Sequence, residues 1–306
     1  MKEKVIFLVG PTAVGKSKIA VEVAQAVGAE IISCDSMQVY RGMDIGTAKP
    51  GSLLRKKVPH YLIDIISPRD EFNCADFSQR SQALIAGIIG RKKIPLLVGG
   101  SGLYLIALVD GLFSGPPGDQ KLRNELARQA ELHGSRYLYQ RLKILDPPSA
   151  EKIHPHDQRR IIRGLEVYEK TKVPISRLKP LRKGISSQYE IKIIGLDRQR
   201  QDLYSRIDRR VDKMFDDGLI NEVRGLVKKG LSPVAGQALG YKEIIAYLNN
   251  EYDFSEAGRI LKRNTRRFAK RQLSWFRHEP RVEWIKIDKG ETVSRTVEKV
   301  LGLLKL

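Results

Sequence analysis

The chain has 306 residues, 42% hydrophobic and 29% charged, which is enough to bury a full core in one large domain or two modest ones. Fifty-five Lys and Arg against 35 Asp and Glu give a net charge of +20, which favours a polyanionic partner, nucleic acid first and an acidic membrane surface second. No apolar run approaches the ~20 residues that cross a bilayer, and two cysteines, Cys34 and Cys74, are too few for a disulfide framework or a zinc site and suit a reducing cytosol.

The first element, KVIFLVG, is a short apolar run ending in glycine. It reads as a buried parallel strand rather than a signal peptide, because it leads straight into a Gly-rich loop with no small-residue cleavage site. A helix follows in KSKIAVEVAQAVG, closed by Gly28, and then a second strand in AEIISCD. HYLIDII is a possible third strand and IPLLVGG a further one. The helix between them, NCADFSQRSQALIAGIIGRKK, can be capped by Asn73 or Asp76. Strands alternating with helices predict an α/β fold, a doubly wound parallel sheet that binds ligands at the carboxyl ends of its strands. The Gly/Pro-rich stretch Asp110 to Asp119 reads as a hinge into a mostly helical insertion with breaks at DPPS and VPIS. The predicted division is a core over 1–115 and 188–306 and an insertion over 116–187. QYEIKIIGLDR returns a strand to the sheet, and the rest is helical apart from a strand in VEWIKID.

Gly10-Pro11-Thr12-Ala13-Val14-Gly15-Lys16-Ser17 fits G-x-x-x-x-G-K-[ST] at every fixed position, with a strand before it and a helix after. In this P-loop arrangement backbone N–H groups wrap phosphates, Lys16 adds a point charge and the Ser17 hydroxyl can hold Mg²⁺. The motif does not name the reaction. A P-loop NTPase or kinase would usually add an aspartate at the end of a later apolar strand, but IPLLVGGSGLY ends in Gly99-Gly100. Asp64 in YLIDII can serve that role or be a satisfied core carboxylate. Asp35 ends the strand after the P-loop helix, so the fold delivers it to the same crevice, as a working carboxylate or as a turn cap. Ser36 and Gln38 can hydrogen-bond a flat heterocycle, and RGMDIGTAKP reads as an ordered loop near the same mouth.

The segment Arg259 to Arg277 carries eight basic residues and no acid. Helical spacing sets Leu261, Thr265, Phe268, Gln272 and Trp275 on one side and Lys262, Arg263, Arg266, Arg267, Lys270 and Arg271 around the rest. A solvated face would interleave acids at i+4, so the pattern favours a phosphate backbone. Arg159, Arg160 and Arg163 form a second basic patch on an insertion helix. His154 and His156 lack companion ligands, and loop or cap roles suit them better than a metal.

Taken together, GPTAVGKS, DSMQVYRGMDIGTAKP, PLLVGGSGLY, HDQRRIIRGLEVYEKT, RIDRRVDKMFDDGLINEV, GQALGYKEI and TRRFAKRQLSWFR resemble the bacterial tRNA dimethylallyltransferases over nearly the whole chain. Departures are small: Ser101 stands where threonine is common and Lys172 where glycine is common. The resemblance implies transfer of a dimethylallyl group from its diphosphate to N6 of the adenosine 3′ of the anticodon, position 37, in tRNAs reading codons that start with U. It implies a cytoplasmic monomer using Mg²⁺ on Ser17, with no membrane partner. The P-loop residues Gly10 to Ser17 would hold the diphosphate, with Thr12, Lys16 and Arg206 beside it and Asp35 accepting the proton. By the same resemblance tRNA contacts fall on Asp35, Ser36, Met37 and Gln38, on Ser101, and on Arg123, Arg159, Arg160, Ile161, Ile162 and Arg163 of the insertion. Further contacts fall on Gln237, Ala238, Leu239, Gly240, Tyr241 and Lys242, and on Lys270, Arg271, Gln272, Leu273, Ser274, Trp275, Phe276 and Arg277. The competing reading of the residues is an ATP-dependent small-molecule or nucleoside kinase with a helical lid, which leaves the charge and the acid-free helix unexplained.

Overall fold

The computed structural model describes residues 2–113 and 115–304, so Ser114 of the expected hinge lies outside the described residues. Strands and helices of at least eight residues are numbered in chain order. β1 (Lys4–Val9) leads through the Gly-rich loop into α1 (Lys16–Val27), which is closed by Gly28 at φ 66°, and on into β2 (Ala29–Cys34). β3 (His60–Tyr61) is two residues long. The seven-residue strand expected in HYLIDII stops there, because Leu62 and Asp64 take positive φ values of 60° and 58° and turn the chain out of the sheet. α2 (Cys74–Gly90) begins at Asn73, whose side chain accepts from the Ala75 and Asp76 N–H groups while Asp76 reaches back in a reciprocal capping box. β4 (Ile94–Gly99) and α3 (Gly102–Val109) complete the first half of the core.

Contacts within the chain divide it into two compact units, one running to Val109 and resuming at Ile185, the other spanning Asp110–Gly184. In the second unit α4 (Gln120–His133), α5 (Ser135–Leu145) and α6 (Gln158–Thr171) enclose a small core of Leu126, Ala130, Leu138, Leu142, Ile161 and Leu165. None of its described residues is in a strand. Glu166 on α6 is fully buried, and its carboxylate accepts from Arg123, from Arg163 and from the Asp119 N–H. A buried carboxylate is tolerated when it is paired and hydrogen-bonded in this way.

The first unit resumes with β5 (Glu190–Arg198), α7 (Arg200–Asp216), α8 (Leu219–Lys229), α9 (Tyr241–Leu248), α10 (Phe254–Arg277), β6 (Val282–Ile287) and α11 (Val293–Leu304). The six strands form one parallel sheet in the order β3-β2-β4-β1-β5-β6. β1 is central and buried on both faces, which is why its sequence is continuously apolar rather than alternating. Val5, Phe7 and Val9 pack with Ile85 and Ile88 of α2 and Leu105 and Leu108 of α3. Ile6 and Leu8 face the other way, toward Ile19 and Val23 of α1, Ile207 of α7 and Val300 of α11. The core thus brings the carboxyl ends of β1, β2 and β4 together, where an α/β sheet binds its ligands. No helix among the described residues is long and apolar enough to cross a membrane.

Two strand ends meet too closely for side chains. Gly99 pairs with Cys34, and a Cβ on Gly99 would lie 1.9 Å from the Cys34 carbonyl oxygen. Gly99→Ala should therefore lower stability by about 3 kcal/mol or more in urea denaturation. Gly90→Ala, with nothing within 4 Å of the added carbon, should stay within about 1 kcal/mol of the parent. Equal midpoints for the two variants would contradict this register.

Candidate active site

Side chains hold the Gly10–Ser17 loop by its carbonyl oxygens. Lys16 donates to the Gly10 and Pro11 oxygens at 2.8 and 2.7 Å. Arg206 of α7 donates to the Ala13 oxygen at 2.9 Å, and Arg198 at the end of β5 donates to the Val14 oxygen at 2.9 Å. The Thr12 N–H donates to the Gln272 side chain at 2.8 Å, and the Gln272 amide donates onward to the Gly100 oxygen at 3.0 Å. The Thr12 hydroxyl accepts from Arg210 at 3.1 Å.

This loop opens onto a cavity of about 540 Å³. Thr12, Ala13, Gly15, Lys16 and Ser17 line one wall, with Arg206 and Arg210 beside them. Asp35, Ser36, Met37, Gln38 and Ser101 line another. Gln237, Ala238 and Leu239 contribute from the turn before α9, Lys242 from its first turn, and Phe268, Arg271 and Gln272 from α10. An apolar stretch of wall is made by Ala20, Ile31, Leu54, Ile63 and Val98. Of the remaining loop positions, Gly10 takes φ 145°, and a Cβ there would lie 2.6 Å from the Leu196 oxygen. Val14 is buried behind the loop.

Asp35 accepts from the Met37 N–H at 2.9 Å, so it both turns the chain and faces the cavity. Burial pushes its carboxyl above the usual carboxylate range, against the opposing pull of the Met37 N–H and the Lys16 charge. Burial and the neighbouring Arg210 guanidinium lower the Lys16 ammonium to about 7, with Asp35 pulling the other way. Gln38 accepts from Ser33 at 3.1 Å.

The loop Gly46–Gly51 forms a further wall and is held from outside the cavity. Glu222 of α8 accepts from the Asp44, Ile45 and Gly46 N–H groups at 3.0, 2.8 and 3.1 Å and from the Tyr241 hydroxyl at 2.5 Å. Lys49 bridges Asp44 and Asp64, and Arg55 pairs with Asp64 at 2.8 Å. Asp64 is thus a tie for this loop and does not line the cavity.

Several expected RNA-contact side chains are turned inward. Ile161, Ala238, Tyr241, Gln272 and Phe276 are buried, Tyr241 and Gln272 with their polar groups bonded to Glu222, Thr12 and Gly100. Arg123 and Arg163 are drawn to Glu166, and Arg160 pairs with Asp157, whereas Arg159 has no ion pair among the described residues. On α10 the missing i+4 acids are supplied by α7: Lys262 pairs with Asp212 and Arg266 with Asp208. Arg277 pairs with Asp197 at the end of β5. The expectation that the whole cationic face is free for phosphate therefore narrows to Arg267, Lys270 and Arg271, which are exposed and unpaired among the described residues. Phe268, expected on the packed side, is exposed at the cavity mouth under Arg271. Leu273 is half-buried, and Ser274 and Trp275 line a separate shallow recess. Arg210 was not singled out from sequence, although it lies one turn beyond Arg206 in RIDRRV and so shares its helix face.

Sheet, loop and cavity define a P-loop α/β protein whose phosphate cradle shares one chamber with a carboxylate. A family profile described as IPP transferase matches residues 38–279, and one described as isopentenyl transferase matches residues 3–66. A tRNA dimethylallyltransferase of Symbiobacterium thermophilum is 49% identical over 100% of this chain and 96% of its own. Among solved structures, the full-length tRNA isopentenylpyrophosphate transferase of Bacillus halodurans is 41% identical with a TM-score of 0.72, covering 99% of this chain and 97% of that one. A eukaryotic dimethylallyltransferase acting on tRNA is 27% identical with a TM-score of 0.82, covering 99% and 80%. The chain belongs to the tRNA dimethylallyltransferase family.

An anion in the cradle favours protonated Lys16. Its affinity should therefore fall as pH rises above about 7, where the free protein's Lys16 loses its proton. Titration of inorganic pyrophosphate between pH 6 and 9 should show this weakening in the parent and a flatter profile in Lys16→Arg. Parallel profiles in the two proteins would contradict it.

Proposed function

We propose that this chain transfers a dimethylallyl group from dimethylallyl diphosphate to N6 of the adenosine 3′ of the anticodon, position 37, in tRNAs reading codons that begin with U, releasing diphosphate. The observation that carries the reading is the shared chamber: Asp35 faces the same cavity as Lys16 and Ser17. The phosphates are then a leaving group rather than a fuel. Loop N–H groups, Lys16 and Arg206 stabilise the charge that develops as the allylic C–O bond breaks and its electron pair moves to the diphosphate. The N6 nitrogen forms the new bond to carbon, and its proton passes to the Asp35 carboxylate. Thr12, with its hydroxyl in the cavity, sits beside the diphosphate.

Mg²⁺ fits this donor set. Among the described residues no cluster of three or more His, Cys, Asp or Glu forms a metal cage, and Mg²⁺ characteristically takes one or two protein oxygens together with substrate phosphates and water. The Ser17 hydroxyl would hold it, and the ion would help neutralise the departing diphosphate.

The adenine reacts only when it leaves the anticodon stack, at a cost of about a few kcal/mol, and single-stranded loops are the part of RNA that side chains can read. Ser36, Gln38 and Ser101 are placed to bond its edge. Lys270, Arg271 and Lys242 would hold the backbone near the chamber, and the exposed Arg159 and Arg160 are the insertion's candidates for backbone contact. The enzyme is taken to work as a monomer in the cytoplasm.

The kinase reading loses support here, since β4 ends in glycine and Asp64 is engaged by Lys49 and Arg55. Incubation with labelled dimethylallyl diphosphate and unmodified tRNA should label the RNA, while labelled ATP with nucleosides should give no phosphorylated product. The opposite pattern would reverse the assignment.

Asp35→Asn should lower the transfer rate by at least about 100-fold while leaving tRNA affinity in filter binding within about twofold. In the parent the rate should fall with decreasing pH through an apparent pKa above the ordinary carboxylate range, because the protonated carboxyl cannot take the N6 proton. A near-parental rate for Asp35→Asn would remove it from the chemistry. Neutralising Lys270 and Arg271 together should weaken tRNA binding and reduce the salt slope by about 0.7 per lost contact. An unchanged slope would place the RNA elsewhere.

A further inference from the structure

A half-buried guanidinium that lines a cavity without a carboxylate partner is partly desolvated, a cost that an arriving anion offsets. Arg210 is such a group. It lines the cavity from α7, it donates to the neutral Thr12 hydroxyl at 3.1 Å, and no carboxylate among the described residues pairs with it. Its neighbours on the same helix differ: Arg266 and Lys262 of α10 take up Asp208 and Asp212. Arg198, which backs the same loop, is neutralised by Asp202 at 3.0 Å. Arg206 is occupied with the Ala13 carbonyl. Arg210 lines the chamber beside Thr12, Lys16 and Arg206, with donors left over.

We propose that Arg210 is a further catalytic residue, a permanent cation that contacts the diphosphate directly and stabilises it as it leaves. This rests on the prenyl-transfer reading and extends it. The Thr12 hydroxyl holds the guanidinium in line. The Thr12 backbone is in turn fixed by Gln272, so the cation is positioned against a braced loop. Arg210 and Lys16 line the same chamber, so their like charges repel each other. A bound diphosphate relieves both cations at once. Arginine keeps its charge at every working pH.

Arg210→Gln and Arg210→Lys test the assignment, with kcat and donor KM measured separately and tRNA affinity followed by filter binding. Arg210→Gln should lower kcat/KM for dimethylallyl diphosphate by about 100-fold, leave tRNA affinity unchanged, and weaken inorganic pyrophosphate. Arg210→Lys should recover part of the loss. A folded Arg210→Gln protein, checked by its melting temperature, with parental kcat/KM and parental pyrophosphate affinity would overturn the proposal while leaving prenyl transfer intact. If Arg210→Gln does not fold, Arg210→Lys decides: undiminished donor kcat/KM together with parental pyrophosphate affinity counts against the assignment. A parent protein that neither binds pyrophosphate nor prenylates tRNA would overturn the underlying reading and this assignment with it.

Discussion

The carbonyl oxygens of the loop Gly10–Ser17 are met by cations: Lys16 at Gly10 and Pro11, Arg206 at Ala13, and Arg198 at Val14. Each bond fixes a peptide group of the loop, and Lys16 and Arg206 also bring positive charge to the chamber wall. The rest of the core serves that arrangement. β1 and β5 pair side by side, so that residues about 190 positions apart in the chain meet at the loop. α7 then crosses it with Arg206 and Arg210 on one face. Helix α10 completes the brace through Gln272, so one helix carries both a support for the phosphate loop and the unpaired cations at the chamber mouth.

This arrangement explains why a phosphate-binding motif shared with NTP-using enzymes belongs here to a different chemistry. No aspartate follows β4, and a glycine is required there by the approach of the Cys34 carbonyl. The carboxylate comes instead from the end of β2, where Asp35 lies across the chamber from Ser17 with an apolar wall nearby. The proposed transfer from an allylic diphosphate would use these parts: a cationic cradle, an apolar surface and a carboxylate. Three peptide N–H groups converging on Glu222 shape the facing loop without entering the chamber.

Much of this was legible in the chain. The fixed spacing of Gly10, Gly15, Lys16 and Ser17 encodes a local structure, and β1, β2 and β4 announce themselves as apolar runs ending in glycine or a polar turn. Asp35 was readable because strand and turn are contiguous in sequence. What escaped were partnerships between distant segments. Arg210 meets Thr12, Glu222 meets Asp44 to Gly46, and Gln272 meets Gly100, all across more than 150 residues with no periodicity to signal them. The third strand was read too long because apolar pattern does not record the positive φ of Leu62 and Asp64. The acid-free helix looked wholly free for RNA because i+4 counting cannot see Asp208 and Asp212 on another helix.

The most direct test is a crystal structure of the protein with an unreactive thio analogue of dimethylallyl diphosphate and an anticodon stem-loop. The extruded purine should present its exocyclic nitrogen between Asp35 and the allylic carbon, with both phosphates inside the Gly10–Ser17 cradle. A purine still stacked in the RNA loop, or phosphates bound outside that cradle, would contradict the account.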